Sequence, residues 1–355
     1  MILNGFSIFL SSDIDVSVEQ YIHRMKKSGF SGVFTSLHIP EDNPQFLKSR
    51  LKKLGNITKK ENLTLMADIS STTIDLLNLK TIEDYQSLQE LGLTGLRIDY
   101  GIAPNLISEL SHIFTVGLNA STMTEADYKY LLENNADFDN IEYWHNYYPR
   151  PETGLGKHDF IKKNTWLKSL NGEIVAFVAG DNHRRGPLYE GLPTLEKHRN
   201  NHPLASCLEL QKECHVDKVY VGDSGLSSKT IEQFEDYYYH QRVLLEVDLL
   251  TSSYSDLVLG SHTNRFDSSR DVIRSQSARF KKIPHIPQLN NIERSIGSVT
   301  LDNYLYGRYQ GEFQLVKKDL TASPRVNVMG KICCTDLPLL SFIDSGVNYK
   351  LIERK

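Results

Sequence analysis

The feature that most constrains the fold is an alternation of short apolar runs with helix-like segments, repeated eight times within residues 1–225. Each run ends in polar residues, and the segment after it carries apolar residues at helical spacing. The runs are Gly5–Leu10, Gly32–Leu37, Leu63–Ile69, Gly95–Asp99, Phe114–Leu118, Ile141–Trp144, Ile174–Ala179 and Lys218–Val221. Eight strand–helix units predict a (β/α)8 barrel. The alternative is a doubly wound open sheet, which usually carries a glycine-rich turn where this chain has Leu10-Ser11-Ser12-Asp13.

Several helix ends can be predicted from local signals. Ser17-x-x-Gln20 has the spacing of a capping box, and Gly29 is suited to end the helix that begins there. Thr81 and Thr124 stand where N-caps are expected, before apolar residues at helical spacing.

Beyond a helix that ends near His240 the pattern changes. Val243–Val247, Tyr304–Val316 and Val326–Ile332 have the composition of strands, with turns between them. We therefore predict an α/β protein with a barrel over residues 1–240 and a mostly β domain over residues 241–355.

Composition and charge exclude several classes of protein. The net charge of −4 lacks the basic excess of a nucleic-acid binder, and Ile174–Ala179, the longest apolar run, is far too short to span a membrane. The four cysteines show neither zinc-binding spacing nor a disulfide framework, and Met1–Leu10 lacks the basic residue and the cleavage site of a signal peptide. We expect a cytoplasmic protein without nucleic-acid or membrane partners.

The ends of the predicted strands carry hydrogen-bonding side chains and carboxylates. Active sites of this fold form at the C-terminal ends of the strands. In this sequence those positions include Asp68, Asp99, Asn119, His145, Asn146 and Asp181. Such a set predicts a basin for a polyhydroxylated ligand. The alternative is that these residues are polar only because barrel loops are solvated.

Arg97 and Asp99 are two residues apart on a strand, so their side chains face the same side. We expect both to point into the barrel mouth, where an ion pair would keep Asp99 ionised. A purely structural ion pair is the alternative.

The segment His145–Leu155, after strand six, is the most unusual in the chain. Two prolines stiffen it, and Tyr147 offers a ring that can stack on a sugar. Arg150 could bind a carboxylate or phosphate with two hydrogen bonds, and Glu152 could act as an acid or base. A rigid surface loop is the alternative.

The loops after strands seven and eight commonly hold phosphate in this fold. Here they contain Arg185 and Glu190, followed by Gly222-Asp223-Ser224-Gly225, which predicts a turn offering backbone N–H groups to an anion. His198 and His202 have metal-ligand spacing but no third ligand at a suitable distance, so no metal site is predicted.

Residues 262–282 carry six Arg or Lys residues, including Arg265, against two Asp residues. Such a run could complete an anion site over the barrel mouth. The alternative, a solvated basic loop, is the simpler explanation.

Taken together, these segments resemble the 6-phospho-N-acetylmuramidase (MupG-type) family over nearly the full chain. The matching motifs are Phe34-Thr35-Ser36-Leu37-His38 with Pro40-Glu41-Asp42, Ala67–Ser70, Leu96–Gly101, Leu118–Ser121, His145–Leu155, Arg185–Glu196, His262–Arg265 and Arg274-Ser275. The motif after strand six is the most specific of them.

The resemblance implies a TIM barrel followed by a smaller cyclophilin-like β-barrel domain. It implies a cytoplasmic glycosidase that needs no cofactor and acts in peptidoglycan recycling. Its substrate would be a small molecule, N-acetylmuramic acid 6-phosphate-β-1,4-N-acetylglucosamine. A phosphosugar isomerase or epimerase, and a sugar-phosphate-binding protein without turnover, are the alternatives. The oligomeric state stays open, and a homo-oligomer is compatible with the sequence.

Glycoside hydrolysis without a metal needs two carboxyl groups. We expect the pair among Asp68, Asp99, Glu152 and Asp181, with Glu152 as the acid and Asp99 as the ionised partner. The predicted substrate-binding residues are Asn119, His145, Asn146, Tyr147, Arg150, Arg185, Glu190 and Arg265. Among these, the three arginines are expected to clamp the phosphate and the lactyl carboxylate.

Overall fold

The structure, a computed structural model, describes residues 3–37, 44–280 and 283–354. The chain divides into two compact units, Met1–Ile231 and Glu232–Lys355. The division falls inside a helix, Ser228–His240, at whose end the sequence analysis placed the domain boundary.

The first unit is a closed barrel of eight parallel strands in chain order, and the last strand pairs with the first. The strands are β1 Leu3–Ser7, β2 Gly32–Ser36, β3 Thr64–Ile69, β4 Gly95–Ile98, β5 Thr115–Asn119, β6 Ile141–Trp144, β7 Glu173–Val178 and β8 Lys218–Val221. Each overlaps one of the eight predicted runs. The prediction of a TIM barrel is confirmed.

Helices follow the strands, as the periodicity of the sequence predicts. They are α1 Val16–Lys27, α2 Pro44–Lys60, α3 Ser71–Leu77, α4 Ile82–Gln86, α5 Pro104–Ser111, α6 Glu125–Glu133, α7 Lys157–Ser169, α8 Pro203–Glu213 and α9 Ser228–His240. Thr81 and Thr124 cap α4 and α6 as predicted.

The start of α1 differs from the prediction. Its N-cap is Asp15, whose carboxylate accepts the backbone N–H groups of Ser17 and Val18. The Ser17 hydroxyl also donates to Asp15, at 2.6 Å, so it is not the capping group. A carboxylate two residues upstream therefore outcompetes the serine as the acceptor at this helix end. Gly29 follows the helix with φ 95°, as its predicted terminating role requires.

The middle of the barrel is filled by an apolar cluster that we call the aromatic layer: Phe34, Met66, Trp144, Val175, Phe177 and Tyr220. The Trp144 and Tyr220 rings lie 4.7 Å apart between centroids. Gly5 has no side chain because a Cβ there would lie 2.1 Å from the Tyr220 ring. The layer makes the barrel a packed core rather than a pore.

The second unit is a seven-stranded sheet with the order β10-β15-β9-β14-β12-β13-β11. Its elements are β9 Arg242–Leu249, α10 Ser255–Val258, β10 Gly260–Thr263, β11 Val272–Arg274, β12 Ser298–Asp302, β13 Phe313–Val316, β14 Val326–Ile332 and β15 Asn348–Glu353. Strands β9 and β15 are parallel, and the other pairs are antiparallel. The predicted β domain is confirmed.

One predicted strand of this unit is wrong in its first half. Tyr304–Tyr309 is a 3-10 helix, and only Phe313–Val316 is extended. Asn303 caps the helix by accepting the N–H of Leu305, and Gly307 adopts φ 56°, which an extended strand would not allow. No helix in the described parts of the chain is long and apolar enough to cross a membrane.

Candidate active site

Arg97 lies at the centre of a buried cluster at the C-terminal ends of the barrel strands. The register of β3 and β4 sets Asp68 directly opposite Arg97. Arg97 Nη1 donates to Asp68 Oδ1 at 2.7 Å, and Arg97 Nη2 donates to the Asn146 side chain. Asp99 Oδ1 lies 3.7 Å from the same Nη1. The predicted Arg97–Asp99 ion pair is present, but Asp68 is the closer partner.

Charge and exposure separate the two carboxylates of this cluster. Burial opposes the charge of Arg97, but the neighbouring Asp68 and Asp99 carboxylates raise its pKa above the ordinary value. The Asp68 side chain is 7% exposed and that of Asp99 is 24% exposed. Asp68 is thus placed to hold Arg97, whereas Asp99 is open to a ligand.

The spacing of these carboxylates is bounded by their shared contact. Their Oδ1 atoms are at most about 6.4 Å apart, the sum of their 2.7 Å and 3.7 Å distances to Arg97 Nη1. Inverting glycosidases keep their two carboxyl groups roughly 6.5–9.5 Å apart to admit a water molecule. The bound on this pair of oxygen atoms lies at the short edge of that range.

Tyr147 lies on the aromatic layer and is held by Arg185. Its ring packs edge-on against Phe34 and Phe177, at centroid distances of 6.2 and 5.2 Å. Its hydroxyl accepts a hydrogen bond from Arg185 Nη1 at 3.1 Å, and the Arg185 guanidinium lies 4.1 Å from the centre of the Phe9 ring. Burial raises the pKa of Tyr147, so the phenol stays neutral. Arg185 thus combines an aromatic support with a cation suited to bind an anion.

The loop that carries Arg185 is organised by Asp223. This fully buried carboxylate accepts the backbone N–H groups of Gly180, Arg185 and Leu192 at 2.8–3.0 Å. The sequence analysis expected the turn around Asp223 to offer N–H groups to an anion. The structure shows its side chain accepting such groups from the neighbouring loop, which fixes the backbone position of Arg185.

Glu152 lies on an exposed turn with φ 71°. The turn is anchored by Glu196, which accepts the N–H groups of Glu152 and Gly154 at 2.9 and 2.7 Å. Arg199 pairs with Glu196 at 2.6 Å, and its hydrogen bond is the main cause that lowers the pKa of Glu196 to about 2. Within the described ranges the Glu152 carboxylate has no hydrogen-bond or ion-pair partner. The structure therefore does not join it to the Arg97 cluster.

Arg150 and Glu190 are exposed near that turn. The Arg150 carbonyl accepts the hydroxyl of Thr153 at 2.6 Å. Glu190 lines an open, polar depression of about 460 Å³ together with Glu196 and Arg199. Both predicted residues thus border the Glu152 turn.

Asp181 lies elsewhere, at the start of α9. Its carboxylate accepts the Ser227 N–H and hydroxyl, each at 2.7 Å, and the Thr230 hydroxyl at 2.6 Å. These three donors give it the role of a helix-capping group. No contact joins it to the Arg97 cluster in the described parts of the chain.

Asn119 ends β5 and His145 follows β6, the two strands after the one that leads to Asp99. Asn119 and Asp99 line a groove of about 470 Å³ between α5 and α6. Asn119 Oδ1 accepts the Ser121 N–H at 3.1 Å. His145 is fully buried, and its ring nitrogens contact the Ser121 hydroxyl at 3.2 Å and the Asn164 amide at 2.7 Å. A substrate would contact His145 only through Ser121.

Comparison with known proteins identifies the family. The model described as "6-phospho-N-acetylmuramidase, N-terminal" matches residues 4–236, and its C-terminal counterpart matches residues 243–352. The chain belongs to the 6-phospho-N-acetylmuramidase family. The members are glycosidases, so this chain is a glycoside hydrolase. The two alternatives, an isomerase and a protein without turnover, do not fit this membership.

Two solved structures are similar over the full length. One, described as a conserved protein from Enterococcus faecalis with an unknown function, is 42% identical with a TM-score of 0.92, over 99% of this chain and 96% of that one. The other, described as an uncharacterized B. cereus protein, is 24% identical with a TM-score of 0.75, over 99% of both chains. The second likeness concerns the fold alone. A search of curated proteins returned no match.

The predicted clamp residue Arg265 belongs to the second unit. Its Nε and Nη2 atoms each donate to Asp267 at 2.7 Å, while its Nη1 is buried and has no hydrogen-bond partner among the residues that the structure describes. Arg270 and Arg274 pair with Asp271 and Glu312. The basic run therefore includes arginines balanced by carboxylates. Lys281 and Lys282, and the family motif residues 38 and 40–42, lie outside the described residues.

Three positioning residues escaped the sequence analysis. Asn164 is buried between Phe160 and Leu167 on the inner face of α7, so a polar residue in an apolar helical stripe was the available signal. Glu196 and Arg199 gave no such signal, since a surface loop of this composition is ordinary.

The two histidines at metal-ligand spacing serve other purposes. His198 Nε2 contacts Glu209 at 2.9 Å, and His202 caps α8. Among the described residues, no three His, Cys, Asp or Glu side chains form a group that could hold a metal ion.

Proposed function

We propose that this glycosidase hydrolyses N-acetylmuramic acid 6-phosphate-β-1,4-N-acetylglucosamine into its two sugars, in the cytoplasm, during recycling of peptidoglycan fragments. The observation that carries the proposal is the Asp68–Arg97–Asp99 cluster at the C-terminal ends of β3 and β4. It supplies a buried, charge-compensated carboxylate beside an accessible one in a member of a glycosidase family. The family name supports a substrate that contains 6-phosphorylated N-acetylmuramic acid.

Asp99 is the residue that the geometry favours for the role at the sugar carbon. Its Oδ1 lies 3.7 Å from Arg97 Nη1, and its partial exposure leaves it accessible to substrate. Because Asp68 is buried and is the closer partner of Arg97, we assign Asp68 to holding Arg97 in place. Asp99 would then act at the sugar carbon, by attacking the sugar, by activating a water molecule or by orienting the acetamido oxygen.

Glu152 is proposed as the acid that protonates the leaving oxygen. Its carboxylate is exposed on a turn whose backbone Glu196 fixes, so its position is defined while its side chain is available. Tyr147 offers a ring for a sugar face, and Asn119, Asn146 and Glu190 offer hydrogen bonds at the strand ends and on the neighbouring loop.

The anionic groups of the substrate require cations. Arg185 is the best-placed clamp, since Tyr147 and Phe9 hold its guanidinium. Arg150 is the further candidate in the first unit. Selectivity for a phosphorylated sugar follows from charge pairing of this kind.

The substrate is tested by incubating the purified full-length chain with the 6-phosphorylated disaccharide and with its unphosphorylated form. We expect N-acetylglucosamine, measured by mass spectrometry, from the phosphorylated form alone. Arg185→Met should lower the ratio of kcat/KM for the phosphorylated over the unphosphorylated disaccharide about tenfold or more. Lys60→Met, which removes an exposed charge on α2, should leave this ratio unchanged. Equal release from both forms, or no release, contradicts the proposed substrate.

The role of Glu152 is tested with two leaving groups. Glu152→Gln should lower kcat/KM on the disaccharide by roughly 10²–10⁴-fold, the usual contribution of a general acid. On a nitrophenyl glycoside of the same phosphosugar it should change kcat/KM little, because that leaving group needs no proton and kcat/KM reports the step in which it departs. Equal losses on the two substrates would assign Glu152 a role other than the acid.

A further inference from the structure

A chain of hydrogen bonds runs from the backbone at the end of α8 to the mouth of the barrel. The Cys214 carbonyl, which can only accept, receives Asn164 Nδ2 at 2.7 Å. The other amide atom, Asn164 Oδ1, therefore faces His145 Nε2, at 2.7 Å. An oxygen at that position requires a hydrogen on Nε2, so the tautomer of a neutral His145 is fixed.

The far end of this chain is Ser121. In the neutral imidazole the second nitrogen, Nδ1, carries no hydrogen, and it lies 3.2 Å from Ser121 Oγ. The serine hydroxyl must then donate to His145. Each link follows from the one before, because the first acceptor is a backbone carbonyl.

The direction of these hydrogen bonds, from donor to acceptor, is maintained because the residues that form them are buried. His145 and Asn164 are both fully buried. Burial is the main cause that lowers the pKa of His145 to about 4, and the charges of Lys163 and Arg97 act in the same direction. An amide at 164 offers no negative charge to an imidazolium, so His145 is a poor base for activating Ser121 as a nucleophile. The chain orients a proton and does not transfer it.

We propose that Ser121 is a specificity-determining acceptor, which the Asn164–His145 chain forces to recognise a neutral hydrogen-bond donor of the bound sugar. The donor is a hydroxyl or the amide N–H. This inference rests on the proposed function. Ser121 is half-buried just beyond β5, and its N–H is held by Asn119, which lines the groove beside Asp99.

The consequence is that Ser121 distinguishes ligand groups that donate a hydrogen bond from groups that can only accept one. With its only hydrogen committed to His145, Ser121 Oγ presents lone pairs alone. A sugar O–H or N–H gains a hydrogen bond there. A group that can only accept hydrogen bonds would place its own lone pairs against those of Ser121 Oγ, which is unfavourable. A single hydrogen bond of this kind corresponds to about tenfold in kcat/KM.

The direction of the chain is measured without substrate. In protein labelled with ¹⁵N-histidine, the His145 signals, identified by their shift in Ser121→Ala, should show a neutral ring with hydrogen on Nε2 from pH 6 to 8. Hydrogen on Nδ1, or an imidazolium in that range, overturns the proposal.

The recognition is measured with substrate analogues. Each sugar hydroxyl is replaced in turn by fluorine, and the acetamido N–H by an ester oxygen, neither of which can donate. On the normal substrate, Ser121→Ala should have a kcat/KM about tenfold below that of wild-type enzyme. On one analogue this difference should disappear, because neither enzyme can form the hydrogen bond there. The analogue affected tells whether the donor is a hydroxyl or the amide.

Comparing wild-type enzyme with Ser121→Ala cancels the effect of fluorine on the intrinsic reactivity of the sugar, because that effect is the same for both enzymes. Ser169→Ala, which removes an exposed hydroxyl at the end of α7, is the matched control and should keep the wild-type pattern. If Ser121→Ala keeps the wild-type losses on every analogue, the inference is overturned while the proposed function stands. If wild-type enzyme releases no N-acetylglucosamine from the normal substrate, the proposed function itself fails.

Discussion

The two ends of the barrel carry the same kind of ion pair but use it differently. At the N-terminal end, Lys218 Nζ lies 2.6 Å from Glu142 and 3.0 Å from Glu173, and the Trp144 N–H donates to Glu142. There each charge has its partner within hydrogen-bond distance. At the C-terminal end, Arg97 binds Asp68 closely but leaves Asp99 at 3.7 Å and partly exposed.

The difference teaches that the position of an ion pair along the strands, and not its composition, decides its use. A pair that is complete within the protein stabilises the fold. A cluster in which one carboxylate lies farther from the cation and is partly exposed can be reached by a ligand. This agrees with the general placement of active sites at the C-terminal face of such barrels.

The largest contrast is expected from removing the cation at each end. Arg97→Met should lower kcat/KM by about 10³-fold or more and destabilise the fold by roughly 3–5 kcal/mol, because the buried Asp68 loses the cation to which it is paired. Lys218→Met should destabilise by a similar order but leave kcat/KM within about twofold. Denaturant unfolding and N-acetylglucosamine release measure the two effects.

Arg97→Lys extends the test if Arg97→Met does not fold, since lysine keeps the charge but not the forked geometry. An equal loss of activity in folded Lys218→Met would contradict the division of roles between the two ends.

Neutralising one carboxylate at each end should separate activity from stability. Asp99→Asn should lower kcat by about 10³-fold and change the free energy of unfolding by less than about 1 kcal/mol, as its side chain is partly exposed. Glu142→Gln should cost roughly 1–3 kcal/mol of stability and leave kcat unchanged. The comparison fails if Asp99→Asn is the less stable variant and the more active one.

Asp302, a buried carboxylate of the second unit, extends the comparison because its strongest charged neighbour is another acid, Glu312. Burial, and then the charge of Glu312, raise the pKa of Asp302 to about 7, against the opposing charges of Arg294 and Arg274. A raised pKa means that the folded state favours the protonated acid. Stability is therefore highest at low pH and falls as pH rises through 7.

Between pH 6 and 8.5 this loss should be on the order of 2 kcal/mol, measured by thermal unfolding of the transition that the second unit contributes. Asp302→Asn should remove that slope. A variant with the wild-type slope would show that another group titrates there.

The smallest effect is expected at the turn of Glu152. Glu196→Gln weakens the anchor of that turn and should lower kcat/KM about tenfold, with little change in stability because the site lies near the surface. Glu133→Gln, which removes one partner of an exposed pair with Lys129, is the control and should behave as wild type. Should both variants match wild type, the anchor has no part in catalysis.

Much of the fold follows from the sequence because strand and helix periodicities are local. The eight runs and the caps at Thr81 and Thr124 depend only on neighbouring residues. The prediction at Ser17 was wrong because two suitable capping residues stand two positions apart, and periodicity does not rank them. The strand predicted from Tyr304 was interrupted by a cap at Asn303 and a left-handed Gly307.

The candidate site could be predicted only as far as it lies within one strand. Arg97 and Asp99 share a face because of the alternation along β4, which the sequence shows. Asp68 is the closer partner because of the register between β3 and β4, which one sequence does not reveal. The same holds for Glu196, which reaches the Glu152 turn from 44 residues away.

The aromatic layer has a practical consequence for protein engineering. It separates the pair at one end of the barrel from the cluster at the other, so the two ends are chemically insulated from each other. Substitutions that raise thermal stability can be selected around Lys218. Substitutions that alter substrate specificity can be selected independently around Arg185. The resulting sets should combine without mutual interference.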